Sequence, residues 1–225
     1  GTTDNQVTAT AKTYEGFTEN AEYEQRVESG VIAGDGSLVL KLYYDRNNYN
    51  VTLNTNGGTV NSGNISSYTY GIGATLPTDI TKVGYTFAGW YDNSGLTGNV
   101  VTSITATETG NKEYYAKWTI NQYTVTFKNG EEVVKTETVD YGTGATAPEL
   151  TKAGYTLSWD KDFGNVTGDI TVNAVWTANT NTAYKVEHYK QNTSLDGYDL
   201  AETENLAGTT DNQVTATAKT YEGFT

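Results

Sequence analysis

The chain has 225 residues and a formal net charge of −13 at pH 7, from 27 acidic and 14 basic side chains. A surface of this sign repels phosphate groups, which excludes nucleic acid and other polyanions as expected partners. With no cysteine in the sequence, small modules would have to fold through packing alone. The abundance of Thr, Tyr and Val favours strands over helices, and no run of 18 apolar residues predicts a membrane span in this segment.

The segment GTTDNQVTATAKTYEGFT occupies residues 1–18 and again, letter for letter, residues 208–225. Self-similarity at a fixed offset is typical of tandem arrays. We therefore expect this chain to be one period of a longer repeat plus a short overlap, with cut points as its ends. The sequence contains no methionine, which agrees with that expectation. A signal peptide or anchor would then lie outside the segment.

Residues 1–46 begin with this repeated segment. A short helix is expected over 19–28, followed by a turn at Gly34–Gly36. The alternating pattern over 38–44 predicts a strand.

Residues 47–119 and 120–177 carry a second, weaker repeat. YNVTLNTNGGTV and YTVTFKNGEEVV alternate apolar and polar residues before Asn56-Gly57 and Asn129-Gly130. Asn-Gly favours a type I′ turn, so each module is expected to open with a hairpin. A short helical turn should follow, ended by Gly84 or Gly154. Two more strands then close each module.

This element order predicts a mostly β (α+β) fold, in which each module is a ββαββ, β-grasp-like unit. Modules of this size lie near the lower limit for an unaided core. Large aromatic side chains are expected to supply the missing buried area, as two tryptophan pairs: Trp90 with Trp118, and Trp159 with Trp176. Short linkers at 45–48, 120–122 and 178–183 predict an elongated array.

Residues 178–225 predict a strand, a turn at Asp196-Gly197 and a second strand before the repeated segment. If residue 207 is joined to residue 1, a continuous module of about 70 residues results, which falls within the size range of small domains. We therefore interpret 178–225 and 1–46 as the N-terminal and C-terminal parts of one module type.

These motifs resemble known bacterial repeats. YNVTLNTNGG…GYTFAGWYDNSGL…YYAKW and YTVTFKNG…GYTLSW…DITVNAVW are similar to the Listeria–Bacteroides repeat, also called the internalin B-repeat or Flg_new module. The second copy departs from that pattern at Ser158-Trp159. YKVEHY…ETENLAGTT…TYEGF…DGSLVLKLYY resembles the mucin-binding-protein (MucBP) repeat. The resemblance implies β-grasp modules of Gram-positive surface proteins, secreted or attached to the cell wall.

No residue pattern points to chemistry, so no catalytic, cofactor-binding or metal residue is assigned and the chain is not expected to be an enzyme. His188 is the single histidine and is interpreted as a half-buried structural residue, because zinc sites need several ligands. Acidic pairs could serve glycoside hydrolysis, but the acids fall in turns or strand edges: Asp160, Asp162, Asp169, Glu131 and Glu132. The oxygen-rich loop 91–99 lacks the spaced acids of a calcium loop.

A Lys–Asn isopeptide crosslink would need a lysine in an apolar core, but alternation places Lys41, Lys117 and Lys185 toward solvent. The 18 tyrosines could bind sugars, or they could cover half-open sheets with wet hydroxyls.

The function expected from these patterns is structural: a stalk or spacer of a large cell-surface adhesin that projects a distal binding domain. The alternative is a module that binds mucin-type glycan or a host protein. The half-modules 1–46 and 178–225 are also expected to dock head-to-tail with neighbouring copies.

Overall fold

The computed structural model describes residues 1–224, and the chain forms two compact units, Gly1–Asn121 and Gln122–Thr225. The first unit contains β1 (Gln6–Thr8), β2 (Phe17–Glu19), β3 (Ser29–Val31), β4 (Tyr44–Arg46), β5 (Asn48–Asn54), β6 (Thr59–Val60), β7 (Ser67–Thr69), β8 (Ala74–Thr75), β9 (Ile80–Thr81), β10 (Tyr85–Tyr91), β11 (Ser103–Ile104) and β12 (Lys112–Ile120). The second contains β13 (Gln122–Asn129), β14 (Glu132–Asp140), β15 (Tyr155–Trp159), β16 (Ile170–Ala178), β17 (Thr182–Gln191) and β18 (Tyr198–Gly208).

Each unit contains a mixed four-stranded sheet with the first and last strands of the module side by side. In the first unit the order is β10-β12-β5-β7, and in the second it is β14-β13-β16-β15. The central pairs are parallel, with Val51 opposite Lys112 and Val125 opposite Ile170. All other pairs in these sheets are antiparallel. A parallel pair requires a long crossover, and the rest of each module provides it.

The helical part of the sequence prediction is wrong, because residues 1–224 contain no helix. Within 19–28 the chain makes two hydrogen-bonded turns and then enters β3. At the second predicted site, Ile80 and Thr81 form β9 against β6. Both are β-branched and too few to nucleate a helix, so they pair as a strand. The fold is mostly β, as predicted, but it lacks the helix of a β-grasp module.

The hairpin prediction is confirmed in one module and wrong in the other. In the second unit β13 and β14 pair, but the turn residues are Gly130 and Glu131, because Asn129 pairs with Glu132. In the first unit Asn56 and Gly57 do adopt positive φ, yet β5 pairs with β7 and β6 pairs with β9. The indole of Trp118 fills the space beside Gly58 and donates to the Thr55 carbonyl at 2.8 Å. The indole therefore lies where a returning hairpin strand would begin.

Two separate hydrophobic cores stabilise the two sheets. Trp90 is 1% exposed at the centre of the first core, and its indole N–H donates to the Pro77 carbonyl at 2.8 Å. Phe127 is fully buried in the second core and contacts Trp159 and Phe163 edge-on. Only Trp90 of the four tryptophans is fully buried. The predicted contribution of tryptophan therefore holds for the first core, while Phe127 has that role in the second.

The flanking parts of the chain differ from the modules in burial. Every fully buried hydrophobic residue among residues 1–224 lies between Val51 and Val172. Residues 1–46 instead form two small sheets, β1-β3 and β2-β4, and residues 182–208 form the two-stranded sheet β17-β18. The strand predicted over 38–44 is absent except for β4 at its end and a bridge between Lys41 and Val27.

Candidate functional site: the module junctions

The linkers between modules are shorter than the sequence predicted. Asn47 is the single residue between β4 and β5, and Asn121 is the single residue between β12 and β13. Asn179 opens the third linker, between β16 and β17. Each of these asparagines is held by hydrogen bonds to a Gly-aromatic-Thr turn that precedes it in the chain. We call each such set of bonds a junction clamp.

The first clamp joins the flank 1–46 to the module that follows. The Asn47 N–H donates to the Gly16 carbonyl at 2.9 Å, and its side-chain Oδ1 accepts from the Thr18 hydroxyl at 2.6 Å. The Asn47 carbonyl accepts from the Tyr70 N–H at 2.9 Å. One linker residue is therefore bonded to the module on each side of it.

The third clamp repeats this pattern in the second unit. The Asn179 N–H donates to the Gly154 carbonyl at 2.8 Å, and its Oδ1 accepts from the Thr156 hydroxyl at 2.6 Å. The Asn179 carbonyl accepts from the Thr210 N–H at 2.9 Å. Thr210 also donates its hydroxyl to the Gly154 carbonyl at 2.8 Å. Both clamps thus use the same three groups of an asparagine.

The first unit shows the same attachment at Asn121. Its N–H donates to the Gly84 carbonyl at 2.9 Å, and its Oδ1 accepts from the Thr86 hydroxyl at 2.7 Å. A net contribution of about 0.5–1.5 kcal/mol is typical of each such hydrogen bond. The linker residues are thereby ordered rather than free to sample alternative conformations.

Glycine is required at two of these turns for two reasons. Gly16 and Gly154 have φ of 76° and 78°, a region that side-chain-bearing residues rarely occupy. A Cβ on Gly154 would lie 2.6 Å from the Thr210 hydroxyl, and one on Gly16 would overlap the Tyr70 ring. The residue from the next module therefore packs directly on the glycine.

A cation lies over the aromatic ring of each turn. Arg46 lies 5.2 Å from the Phe17 ring centroid and donates to the Tyr70 carbonyl. The Lys152 ammonium lies 3.6 Å from the Tyr155 ring centroid. Such contacts contribute about 0.5–1 kcal/mol at exposed sites. The Tyr155 hydroxyl donates to the Asp211 carboxylate, and this hydrogen bond raises the pKa of Tyr155.

The acidic residues considered for hydrolysis cap backbone groups in separate places. Asp160 accepts from the backbone and side-chain N–H groups of Asn173, which lowers the pKa of Asp160. Asp162 accepts from a backbone N–H two residues on, and Asp169 accepts from the Thr124 N–H. Glu131 and Glu132 lie at the β13–β14 turn. The loop 91–99 is organised by the Asn93 amide, which binds Thr97.

His188 lies on the inner face of β17, as the alternation predicted, with its side chain 11% exposed. Its ring meets Tyr221 edge-on, and its Nε2 lies 3.7 Å from the Glu204 carboxylate. Glu202 completes a three-residue group, and the Lys219 ammonium bonds both carboxylates. Hydrogen bonds from the Tyr221 hydroxyl and from Lys219 lower the pKa of Glu202. Lysine occupies the position a cation would take, so this group is a salt-bridge network.

The candidate crosslink lysines lie outside the cores. Lys41 and Lys185 are exposed, and half-buried Lys117 lies 5.0 Å from the Tyr91 ring centroid. Among residues 1–224, no polar or charged residue is fully buried. Isopeptide chemistry needs a desolvated lysine, and these three are solvated or stacked. The expectation that the chain is not an enzyme stays a prediction.

Sequence reasoning missed the junction clamps. It identified the linkers but treated them as spacers of three to six residues. The available signal was a shared pattern: each linker contains an asparagine, and each preceding turn reads Gly-Phe-Thr or Gly-Tyr-Thr. Pairing the two requires knowing that β2 and β4, or β15 and β16, end side by side.

Comparison with known families gives two matches along the chain. The Listeria-Bacteroides repeat domain matches residues 49–117 and 123–187, which agrees with the two repeats recognised in the sequence. The flanks 1–46 and 188–225 lie outside these matches, so the MucBP resemblance has no support from this comparison. No solved structure gave a significant match.

Curated relatives cover part of the chain. A Gly-rich protein of Evansella cellulosilytica, named as a membrane protein, is 32% identical over 161 residues, which is 65% of this chain and 18% of that protein. Internalin H of Listeria monocytogenes is 36% identical over 120 residues, which is 47% of this chain and 21% of that protein. The chain thus spans about a fifth of the length of each relative. None of the residues 1–224 belongs to a helix long and apolar enough to cross a membrane.

Proposed function

The chain belongs to the Listeria-Bacteroides repeat family, and from that premise we propose that it is a structural spacer. It would form part of a tandem array that projects a distal binding domain from the surface of a bacterial cell. Repeat proteins of this kind are quasi-one-dimensional, because each module contacts only its neighbours.

The junction clamp is the observation that carries this proposal. Flexible linkers allow modules to reorient, whereas a single hydrogen-bonded residue restricts them. Asn47 and Asn179 each bond the module on both sides. A spacer needs this property, because loose joints would shorten the average reach of an array.

The relatives support an extracellular location. One is an internalin and another is named as a membrane protein, so we assign this chain to the cell surface, either attached to the wall or secreted. The net charge of −13 suits a surface-exposed array, since like-charged modules repel rather than aggregate.

A display experiment tests the spacer role. One, two or four periods would be placed between a fixed wall anchor and a fluorescent tip domain on a Gram-positive cell. We expect the height of the tip above the membrane to rise in equal steps with each added period. A tip height that does not depend on the number of periods would reject the proposal.

A second candidate function, glycan binding, is supported by the exposed tyrosines. Among residues 1–224, four of the tyrosines are exposed, and all lie in the flanks: Tyr14, Tyr23, Tyr189 and Tyr198. Tyrosine rings at a surface can stack on sugars. A glycan array probed with the chain tests this function, and binding that is lost in Tyr198→Ala would support it. No binding to any glycan would reject it.

A further inference from the structure

The flank 1–46 repeats the closing half of a module. Phe17 pairs with Arg46 in β2-β4 just as Tyr155 pairs with Ala178 in β15-β16. A glycine of positive φ precedes each aromatic residue, and a clamp asparagine follows each second strand. Counting back from Arg46 in this register places Leu38 at the position of Ile170.

The hairpin β17-β18 repeats the opening half. Tyr184, Val186 and His188 alternate along β17 as Tyr123, Val125 and Phe127 do along β13. Each strand directly follows a junction and pairs antiparallel with the next strand. His188 therefore occupies the position that fully buried Phe127 has in the second module.

Each half lacks the contact that the other half could supply. In the complete modules, the first strand pairs on one edge with an antiparallel neighbour and on the other edge with the last strand in parallel. Within residues 1–224, β17 pairs with β18 alone. Residues 37–43 carry an alternating strand sequence, yet they form only one bridge. An open edge of this kind is a template for another strand.

We infer that residues 37–43 of a second copy of this chain add to the free edge of β17 as a parallel strand. The register follows from the complete modules: Val125 lies opposite Ile170 and Phe127 opposite Val172. Val186 then lies opposite Leu38, and His188 lies opposite Leu40. This inference deepens the proposed function by naming the partner, and it rests on the tandem arrangement proposed there.

The side chains on the paired faces suit this contact. Leu38, Leu40 and Leu42 alternate on one face and are only half-buried, while the residue equivalent to Leu40 in the second module, Val172, is fully buried. The His188 Nε2 is buried but has no hydrogen-bond partner among the described residues. A neutral imidazole on an apolar face can pack against leucine.

The repeated segment explains how the second copy could be accommodated. Both copies form the same local turns: Asp4 and Asp211 have φ of 62° and 63°, and Gly16 and Gly223 have φ of 76° and 78°. The first copy packs Tyr14 on Tyr44, toward the closing strands. The second packs Tyr221 on His188, toward the opening hairpin. A completed module needs both sets of contacts but only one segment, so one copy is displaced at each contact between chains.

Disulfide trapping tests the predicted register directly, because the native chain contains no cysteine. Glu187→Cys would be made in one full-length chain and Val39→Cys in another, and the two would be mixed in a glutathione redox buffer. These residues are the equivalents of Thr126 and Thr171, which lie opposite each other. We expect the mixed dimer to dominate over either homodimer.

A shifted pair provides the matched control. Lys41→Cys, mixed with Glu187→Cys, places the cysteines two residues out of register at a Cα separation of about 8 Å, beyond the usual disulfide range. We expect its dimer yield to be about tenfold lower because of that separation. Leu40→Asp added to the Val39→Cys chain should abolish the correct crosslink, whereas Val133→Asp, at another exposed apolar position, should not.

Equal yields for the two registers would overturn the inference, as would dominant Val39 homodimers or no mixed dimer. The tip-height experiment on displayed arrays is independent of this register. Loss of the crosslink with stepwise tip height retained would reject the docking contact alone, while loss of the steps would reject the spacer role.

Discussion

The two complete modules and the two flanks are built from similar alternating sequences, yet only the modules have cores. Phe127 is fully buried on β13, whereas His188, at the equivalent place on β17, has a partner strand on one edge of its sheet only. The same contrast separates Val172 on β16 from half-buried Leu40. Strand sequences thus become strands with a core only when the parallel partner is present.

The largest expected effect is in the cores of the modules. Trp90→Ala and Phe127→Ala should each lower the free energy of unfolding of their own module by about 3–5 kcal/mol, as large-to-small core changes do. In the flanks, Val39→Ala is the control, since Val39 is 62% exposed and should cost less than about 0.5 kcal/mol. Native-state hydrogen exchange would measure each module separately. Equal losses in cores and flanks would contradict the comparison.

Glycine substitutions should show how closely a junction packs. Gly36 and Gly16 have similar positive φ, but a Cβ on Gly36 would meet nothing within 4 Å. Gly36→Ala should therefore cost about 1–2 kcal/mol from backbone strain alone. Gly16→Ala adds a clash with Tyr70 and should cost more. Hydrogen exchange at the Asn47 amide would report the difference, and identical values for the two variants would argue against close packing.

A smaller effect is expected from the clamp side chains. Asn47→Ala and Thr18→Val each remove the same hydrogen bond, which at 2.6 Å should contribute about 0.5–1.5 kcal/mol. In a double-mutant cycle the combined loss should be smaller than the sum of the single losses. The pair Asn179 and Thr156 offers a second test in the other unit. Additive losses would mean that the clamp residues do not interact.

The smallest expected effect is a pH dependence in the second module. The Asn173 backbone N–H is the main cause that lowers the pKa of Asp160 in the folded state. The stabilisation is therefore fully present above the unfolded pKa of about 3.9. It is lost as pH falls through the lower folded pKa. Asp160→Asn should remove this part of the acid sensitivity, and an unchanged acid profile would refute the assignment.

Sequence patterns predicted some features of this fold because those features depend on near neighbours. The repeat boundaries, the strand at 123–129 and the turn at Asn56-Gly57 all follow from local alternation or turn chemistry. The type of turn did not decide the pairing of β5, because Trp118, distant in sequence, fills the space next to Gly58. Long-range packing of this kind is not visible in a local pattern.

The candidate site was harder to predict for the same reason. Asn121 looks like an ordinary polar linker residue until β12 and β10 are paired and bring Gly84 beside it. The predicted strand over 38–44 failed for a related cause, since its parallel partner lies in another part of the repeat pattern. The short helices failed because β-branched residues such as Ile80 found strand partners.

Small-angle scattering on chains of one, two and four joined periods tests the spacer account most directly. A stiff spacer should have a radius of gyration that nearly doubles each time the number of periods doubles. A compact chain would increase by only about 1.3-fold per doubling, and a freely jointed or unfolded one by about 1.5-fold. A ratio close to two would support clamped junctions, and a ratio at or below 1.5 would contradict them.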